Sequence, residues 1–344
     1  MTSVSVVIAA FNRPDSLAVL LRDLSRQELD DDVEVIVVDD GSEPSIGPEV
    51  GVAFPSGLSG TILRQANAGP GAARHNGIGA SSGEIVVIID DDMTIPPSFL
   101  AAHVAAHRKG ATLVMGLIRE PVVGQGRPLF DRFHLYSLDR FVTAYREGKA
   151  ELHGGRLCTG NVSVRRSAYL GVGGFDLSMR RCEDRDLGLR LEAAGERLAF
   201  AEEAWAEHCS DHADARAWLR RSSEWGAADV LISAKHPRFD HASPWTFFRD
   251  IPRLVHPFAL SAAFAPRLGA LGARIVYRVG TAIDRLGRER EALTVTTFAY
   301  ALSYYGGVGR QSGTPKSAWR SYRVWRNSHA AGPAVGPIPL EVLP

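Results

Sequence analysis

The chain has 344 residues, of which 45% are hydrophobic and 23% are charged, with 39 basic and 39 acidic side chains. This composition excludes a disordered or collagen-like chain, and the zero net charge gives no reason to expect a nucleic acid partner. The charge is nevertheless divided, because residues 236–344 carry 14 basic and six acidic side chains while the preceding part has the opposite excess.

The first 120 residues alternate short β-branched segments with helical patterns, which is typical of βαβ units around a buried, mostly parallel sheet. The expected fold class is therefore α/β, with a Rossmann-like central sheet flanked by helices. Strands are predicted at 4–9, 33–38, 61–63, 85–89 and 112–118. Helices are predicted over about 14–27, from Pro70, and from Pro96-Pro97 to about Lys109.

Polar residues follow three of these strands at their carboxyl ends, where sheets of this class bind ligands. Asp90 and Asp92 face the same side of an extended segment and could share one Mg²⁺ or Mn²⁺, although surface turns are also rich in Asp. Asp39 or Asp40 could accept hydrogen bonds from a nucleobase or a ribose, and a solvated turn or helix cap is the alternative. Arg13 ends the polar exit of the first strand.

A glycine-rich segment at 69–71 superficially matches a dinucleotide-binding fingerprint. The third glycine of that fingerprint is missing, and the residues before the segment do not form a strand that leads tightly into it. The segment instead predicts a helix N-terminus that places Arg74 near the base or the phosphates of a nucleotide.

Together, these motifs resemble the family 2 glycosyltransferases of GT-A fold. The matching segments are 4–12, 37–42, 67–77, 89–92 and 173–176, followed by Glu183-Asp184. The resemblance extends from residue 3 to about residue 235. It implies an inverting transferase that moves a sugar from a nucleotide-diphosphate donor to an acceptor hydroxyl by direct displacement, with Mn²⁺ or Mg²⁺ as cofactor.

The resemblance also implies roles for individual residues. Asp184 is expected to deprotonate the acceptor, with Glu183 as the second choice and ordinary helix N-terminal charge as the alternative explanation of both. His208 is expected to join the metal ligands, with a structural role or competition from His212 as alternatives. The donor nucleotide is assigned to Ala9, Asp39, Asp40, Arg74 and Asp91, and the metal to Asp90, Asp92 and His208.

The acceptor or sugar pocket is expected to include Asn161 and Trp205. Trp205 could stack on a sugar ring, although core packing is the expected role of at least two among Trp205, Trp218 and Trp225. The sequence has no QxxRW motif, which favours addition of a single sugar over polymer synthesis. The sequence does not determine whether the donor nucleotide is UDP, dTDP or GDP, because the carboxylate of Asp39 or Asp40 can accept a hydrogen bond from the N–H edge of each of these bases.

Two other functions use related features. A sugar-1-phosphate nucleotidylyltransferase is expected to have a glycine-rich N-terminal loop, where this chain has the segment 9–13. A non-catalytic nucleotide-sugar-binding module would not need the acidic residues at 90, 92, 183 and 184. Both alternatives are therefore less consistent with the sequence than the transferase.

The expected domains are a catalytic domain at 1–235, a helical basic region at 236–329 and a flexible tail at 330–344. The middle region mixes aromatic residues with arginines. It could lie on an anionic membrane beside a lipid-linked acceptor, or form a helical subdomain or homodimer interface that neutralises the acidic catalytic domain. The acceptor itself could be a small molecule, a glycan or a lipid-linked sugar.

The three cysteines, Cys158, Cys182 and Cys209, lack the spacing of a zinc site or a disulfide framework. We therefore expect reduced thiols in a cytoplasmic protein. The N-terminus enters an apolar strand without a basic segment, which argues against a signal peptide. No apolar run approaches the ~20 residues that cross a bilayer, so any membrane contact is expected to be peripheral, at the inner face.

Overall fold

The computed structural model describes residues 3–119, 127–179, 181–208 and 214–328, except for the side chains of residues 134 and 135. The chain divides into two compact units, Met1–Val122 with Leu152–Ser210, and Val123–Glu151 with Asp211–Pro344. The domain boundary predicted at residue 235 falls inside the second unit. The predicted tail at 330–344, Cys209 and His212 lie outside the described residues.

The first unit is built on a sheet of eight strands in the order β3-β2-β1-β4-β7-β6-β8-β5. The four strands from β3 to β4 are parallel, β7 runs antiparallel to β4 and β6, and β5 runs antiparallel to β8. The strands are β1 (Val4–Ala10), β2 (Val33–Asp39), β3 (Ser59–Arg64), β4 (Ile85–Asp90), β5 (Met93–Thr94), β6 (Leu113–Arg119), β7 (Asn161–Arg165) and β8 (Leu198–His208). The predicted α/β fold with a mostly parallel sheet is confirmed.

Eleven helices are present among the described residues. The first predicted helix ends three residues early, at Leu24, and the helices predicted from Pro70 and after Pro97 are both found. The helices are α1 (Pro14–Leu24), α2 (Pro70–Ala80), α3 (Phe99–Arg108), α4 (Leu129–Arg146), α5 (Arg166–Gly171), α6 (Glu183–Ala193), α7 (Ala215–Lys235), α8 (His256–Phe264), α9 (Pro266–Arg285), α10 (Glu289–Gln311) and α11 (Pro315–Ser328).

The sheet of the first unit is buried on both faces, as its nearly continuous apolar strands require. Successive side chains of a strand point to opposite faces, so β1 contributes Ile8 to one core and Val7 to the other. The core that contains Ile8 packs against α1 and α3, whereas the core that contains Val7 includes residues of α2 and α6. The helices therefore cover both faces of the sheet. They do not cover the edge at which its strands end.

Two buried histidines of α3 link that helix to β7. Ser163 Oγ lies 2.8 Å from His103 Nδ1 and 2.8 Å from His107 Nε2, and His103 Nε2 donates to Asn161 Oδ1 at 3.0 Å. Burial lowers the pKa of His103 to about 3 and the pKa of His107 to about 4. Both rings are therefore neutral in the folded protein at pH 7.

Acidification is expected to destabilise the first unit through these rings. An unfolded histidine takes up a proton near pH 6.5 and the folded one does not, so each ring costs about 1.4 kcal/mol of unfolding free energy per pH unit below 6.5. The difference in unfolding free energy between His107→Gln and the wild type should therefore shift in favour of the variant between pH 6.5 and 4. Urea unfolding at several pH values measures this difference, and a pH-independent difference would contradict the assignment.

The second unit is helical and has an aromatic core around α10. Trp245 is fully buried between Phe248 and Tyr305, with ring centroids 5.9 and 5.5 Å away. Trp218 belongs to the same core and Trp225 packs against it, as expected for at least two of the tryptophans. Among the described residues, no helix combines the length and the apolar character that a membrane crossing requires.

Candidate functional site

The ends of three strands meet at one edge of the sheet in the first unit. In the register of β1, Ala10 pairs with Asp39 of β2, and Ala9 pairs with Asp90 of β4. Parallel pairing thus brings Ala9, Asp39 and Asp90 to the same level, although they are far apart in sequence. The acidic segments that follow β2 and β4 begin at this edge.

Arg74 of α2 forms a buried bridge between two carboxylates at this edge. Its Nη2 donates to Asp90 Oδ1 at 2.6 Å and its Nη1 donates to Glu183 Oε1 at 3.3 Å, and the residue is only 7% exposed. Burial lowers the pKa of Arg74, but the charge of Asp90 and the further negative charges outweigh that effect and raise it. The bridge joins the end of β4 to the first residue of α6.

A glycine allows this bridge to form. Gly71 lies in the first turn of α2, and a Cβ atom at that position would stand 2.9 Å from Glu183 Cγ. Real Cβ atoms do not approach a neighbouring carbon so closely, so a side chain at this position would force the Glu183 side chain to move. The glycine-rich segment therefore serves close packing of α2 on α6.

Asp184 follows Glu183 on α6 and is partly exposed. Its Oδ1 accepts a hydrogen bond from the backbone N–H of Arg185 at 2.7 Å. Burial and the negative charge of Glu183 raise the pKa of Asp184 to about 6, against the effects of Arg185 and Arg74. Such a carboxylate is ionised at pH 7 and is a stronger base than an ordinary aspartate.

A second charged cluster contains Asp91, Asp92, Arg13 and His208. Arg13 Nη1 lies 2.5 Å from Asp92 Oδ2 and 3.3 Å from Asp91 Oδ1, and His208 Nε2 lies 3.3 Å from Asp92 Oδ2. His208 reaches Asp92 because it pairs with Met93 across β5 and β8. The structure thus brings together Asp92 and His208, whereas Asp90 has Arg74 as its partner.

The pKa values of these two aspartates shift in opposite directions. Burial raises the pKa of Asp91 to about 6, because it outweighs the opposing charge of Arg13. Burial also acts to raise the pKa of Asp92, but the hydrogen bond and charge of His208 and the charge of Arg13 lower it overall. Asp92 is therefore the more strongly held anion of the pair.

The acidic groups fit a hard divalent cation. Asp92 Oδ1 is buried and has no hydrogen-bond partner, which leaves one carboxylate oxygen available to a ligand. The side chain of Asp90 is more exposed than that of Asp92. Its Oδ2 lies close to Gly160, where a Cβ atom would stand 3.0 Å away. Carboxylate oxygens with one imidazole nitrogen are acceptable ligands of Mg²⁺ or Mn²⁺. In chemical type these three residues suit the metal role that the sequence suggested, but the ligand atoms of Asp90, Asp92 and His208 do not all lie within 4.8 Å of one another.

Asp39 and Asp40 are buried and accept hydrogen bonds from the chain itself. Asp39 accepts from the backbone N–H groups of Ser42 and Ile46 at 2.8 and 3.1 Å. Asp40 accepts from Ala68 and Gly69 at 2.9 Å each, which holds the segment before α2. These hydrogen bonds fix the loops that surround the strand ends, and neither carboxylate is the solvated turn residue that the alternative interpretation describes.

Asn161 and Trp205 have different surroundings. Asn161 is buried, and its Nδ2 donates to the carbonyl oxygens of Leu117 and Ala204 at 3.1 and 2.8 Å. Its Oδ1 accepts from His103, so the amide is engaged in fastening strands of the sheet. Trp205 is partly exposed, and the guanidinium carbon of Arg119 lies 4.6 Å from its ring centroid.

Sequence reasoning did not assign Arg13 a role, although it contacts both Asp91 and Asp92. A basic residue at the exit of β1, between acidic exits of the neighbouring strands, was the signal that could have identified it. Cys158 is a free thiol, as expected for a cysteine without a framework spacing.

An α/β sheet with acidic and basic groups at its carboxyl edge is typical of nucleotide-binding proteins. The model of glycosyl transferase family 2 matches residues 5–170. A relative from Mycobacterium tuberculosis, the pre-mycofactocin glycosyltransferase, is 28% identical over 288 residues, which cover 82% of this chain and 54% of the relative. This match confirms the resemblance to glycosyl transferase family 2 over residues 5–170. The chain spans about half the length of this relative.

Solved structures of similar fold support the GT-A architecture. A mannosyltransferase from Pyrobaculum calidifontis, in complex with GDP-Man and Mn²⁺, aligns with a TM-score of 0.58 at 20% identity and covers 87% of this chain and 85% of its own. S. aureus TarS 1-349 in complex with UDP aligns with a TM-score of 0.50 at 18% identity, over 90% of each chain. At these identities the similarity concerns the fold.

Removing the Arg74 guanidinium should destabilise the protein. Arg74→Met leaves Asp90 and Glu183 without their shared cation, and loss of one partner of a buried ion pair costs about 3 kcal/mol. Arg288→Met is the control, because both side chains of its ion pair with Glu291 are exposed and its loss should change the unfolding free energy far less. Urea unfolding measures both values, and equal losses would contradict a special role for Arg74.

Proposed function

We propose that the protein is an inverting, divalent-metal-dependent glycosyltransferase that moves one sugar from a nucleotide-diphosphate sugar to an acceptor hydroxyl. The observation that supports this most strongly is the buried bridge from Asp90 through Arg74 to Glu183. It holds the first turn of α6, with the base candidate Asp184, next to the acidic end of β4. The match of residues 5–170 to the glycosyl transferase family 2 model makes sugar transfer the reaction that we propose for this arrangement.

In the proposed reaction, Asp184 accepts the proton of the acceptor hydroxyl. The acceptor oxygen forms a bond to the anomeric carbon while the bond from that carbon to the diphosphate oxygen breaks, so attack from the opposite face inverts the configuration. Glu183 is the second choice for the base, but its carboxylate already accepts from Arg74. That contact gives Glu183 a positioning role at the first turn of α6.

The donor is proposed to bind at the edge of strand ends. Asp92 and His208, with Asp90, would hold Mg²⁺ or Mn²⁺, which would supply electrostatic stabilisation of the charge on the departing diphosphate. The N-terminus of α2 begins at this edge, and free backbone N–H groups of a helix start favour anions. Ala9, Asp39, Asp40, Asp91 and Arg74 are proposed to surround the nucleotide, the first four chiefly by shaping the pocket and its loops.

Substrate and location are proposed more broadly. The solved neighbours contain GDP-Man and UDP, so GDP and UDP are donor candidates together with dTDP. Trp205 is proposed to contribute to the acceptor pocket, and Asn161 to support it by holding the sheet. We propose a small-molecule, glycan or lipid-linked acceptor and a cytoplasmic location. The helical unit is proposed to form a homodimer or a membrane contact.

Nucleotide binding tests the donor site without knowledge of the acceptor. Thermal unfolding in the presence of UDP, dTDP or GDP should shift upward for one nucleotide only when Mn²⁺ is present, because a ligand of the native state raises its apparent stability. Asp92→Ala should abolish the shift, whereas Asp31→Ala, at a carboxylate remote from the edge, should retain it. No shift with any nucleotide at millimolar concentration would contradict the proposal.

The role of Asp184 is tested by turnover of the donor that binds. Asp184→Asn should lower kcat by about 10²- to 10⁴-fold, the usual contribution of a general base, while the nucleotide-dependent thermal shift is retained. The wild-type rate should fall tenfold per pH unit below about pH 6, because the base must be deprotonated. An active Asp184→Asn with an inactive Glu183→Gln would transfer the role to Glu183.

The identity of the products separates the proposal from a nucleotidylyltransferase. Transfer releases a nucleoside diphosphate from the donor, whereas a nucleotidylyltransferase produces pyrophosphate from a nucleoside triphosphate and a sugar phosphate. Nucleoside diphosphate release with a glycosylated acceptor is the expected result. Donor binding without turnover against a broad panel of hydroxyl acceptors would favour a binding module.

A further inference from the structure

Helix α9 of the second unit buries small residues and exposes large ones. Gly269, Ala273 and Gly280 are its buried residues. A Cβ atom at Gly269 would stand 2.7 Å from Ala262 Cβ on α8, and one at Gly280 would stand 3.2 Å from Thr296 Oγ1 on α10. Close backbone contacts therefore form part of the inner face of α9, beside Val276 and Tyr277, which are partly buried against the aromatic core.

Five large apolar side chains lie on the opposite side of α9 and at its end. Their spacing of three, four, four and seven residues aligns them along one side of the helix. They are Leu268, Leu271, Ile275, Val279 and Leu286, with 69%, 52%, 53%, 49% and 76% of their surface exposed. We call this set the α9 apolar stripe.

A row of basic residues accompanies the α9 apolar stripe. The spacing of seven, four and seven residues places the row on the side of the helix next to the stripe. It consists of Arg267, Arg274, Arg278 and Arg285, all exposed. We call this set the α9 arginine row. The one acidic residue of α9, Asp284, is engaged with Arg132 of α4 at 2.5 Å.

This distribution is the reverse of what a helix on the surface of a water-soluble unit requires. Such a helix normally directs its large apolar residues inward and its polar residues outward. A continuous apolar surface of this kind marks a site of interaction. An apolar stripe beside a basic row is the pattern of a helix that lies in the plane of a membrane interface.

We propose that the outer face of α9 binds the surface of an anionic lipid bilayer. The α9 apolar stripe would enter the boundary between headgroups and acyl chains, and the α9 arginine row would contact lipid phosphates. The excess of basic residues in 236–344 adds attraction to such a surface. This inference goes beyond sugar transfer and does not depend on it.

Charge complementarity favours lipid over a second copy of the chain. If two α9 helices met through their apolar stripes, neither would offer a row of acidic residues to the arginines of the other. Asp284, already paired with Arg132, is the one carboxylate that α9 contains. Anionic lipid headgroups supply the missing negative charge along the whole length of the helix.

Vesicle flotation with the full chain tests the proposal. The protein should float with vesicles of phosphatidylcholine mixed with phosphatidylglycerol, and much less with phosphatidylcholine alone. Leu271→Gln/Ile275→Gln should weaken partitioning by about tenfold or more, because two apolar side chains no longer enter the interface. Arg274→Gln/Arg278→Gln should weaken it by about fivefold per arginine and reduce its dependence on salt.

Matched variants distinguish the proposed face from any exposed apolar residue. Leu170→Gln/Leu231→Gln changes two leucines with 49% and 50% exposure outside α9, and it should float like the wild type. Thermal unfolding of every variant should stay close to the wild-type transition, because all the altered side chains are about half exposed. Nucleotide-dependent thermal shifts should also be unchanged, which separates this test from that of the transferase.

Three results would overturn the proposal. The first is a wild-type protein that does not bind phosphatidylglycerol vesicles. The second is a Leu271→Gln/Ile275→Gln variant that binds them as well as the wild type. The third is a wild-type dimer that becomes monomeric in this variant while neither form binds vesicles, which would make a second copy the occupant of the face.

Discussion

The buried guanidinium of Arg74 is the interaction on which the candidate site depends. It neutralises Asp90 and Glu183, which come from segments that are remote in sequence and are otherwise expected to repel each other. Without this cation, the acidic end of β4 and the acidic start of α6 could not occupy one edge. Gly71 complements the bridge, because a Cβ atom at this position would displace the Glu183 side chain.

The three consecutive aspartates after β4 have separate partners, and this separation organises the site. Asp90 pairs with Arg74 on one side, while Asp91 and Asp92 contact Arg13 on the other. The short pairing of β5 with β8 then brings His208 to Asp92. The unpartnered oxygen of Asp92 lies in this second cluster, so the two clusters suit different tasks. The Arg74 cluster positions α6, and the Asp92 cluster suits a cation.

The sequence predicted strands β1 to β4 and β6, but it did not predict β5, β7 or β8. Apolar strands such as β1 and β4 carry an unambiguous pattern, and the predicted strands and observed ones agree closely there. The short strand β5 and the polar strand β7 have no such continuous apolar pattern, and they pair with residues more than 45 positions away in sequence. The bridge from Arg74 to Glu183, across 109 positions, was beyond local reasoning for the same reason.

The sequence also could not determine which residues and which helix faces are exposed to solvent. Asp39 and Asp40 were equally compatible with a nucleotide contact and with a turn, and the backbone groups that donate to them could not be inferred from the sequence. In the helical unit, aromatic residues such as Trp245 are buried, whereas aliphatic residues such as Leu268 are exposed. The basic, apolar character of 236–329 was evident from the sequence, but the helix face that carries it emerged from packing.

The most direct measurement is a crystal structure with Mn²⁺ and the nucleoside diphosphate that stabilises the protein, using the anomalous signal of manganese. The account predicts a manganese peak bound by Asp92 and His208, with the nucleotide at the edge formed by the ends of β1, β2 and β4. A manganese peak elsewhere, or a nucleotide bound away from that edge, would contradict it.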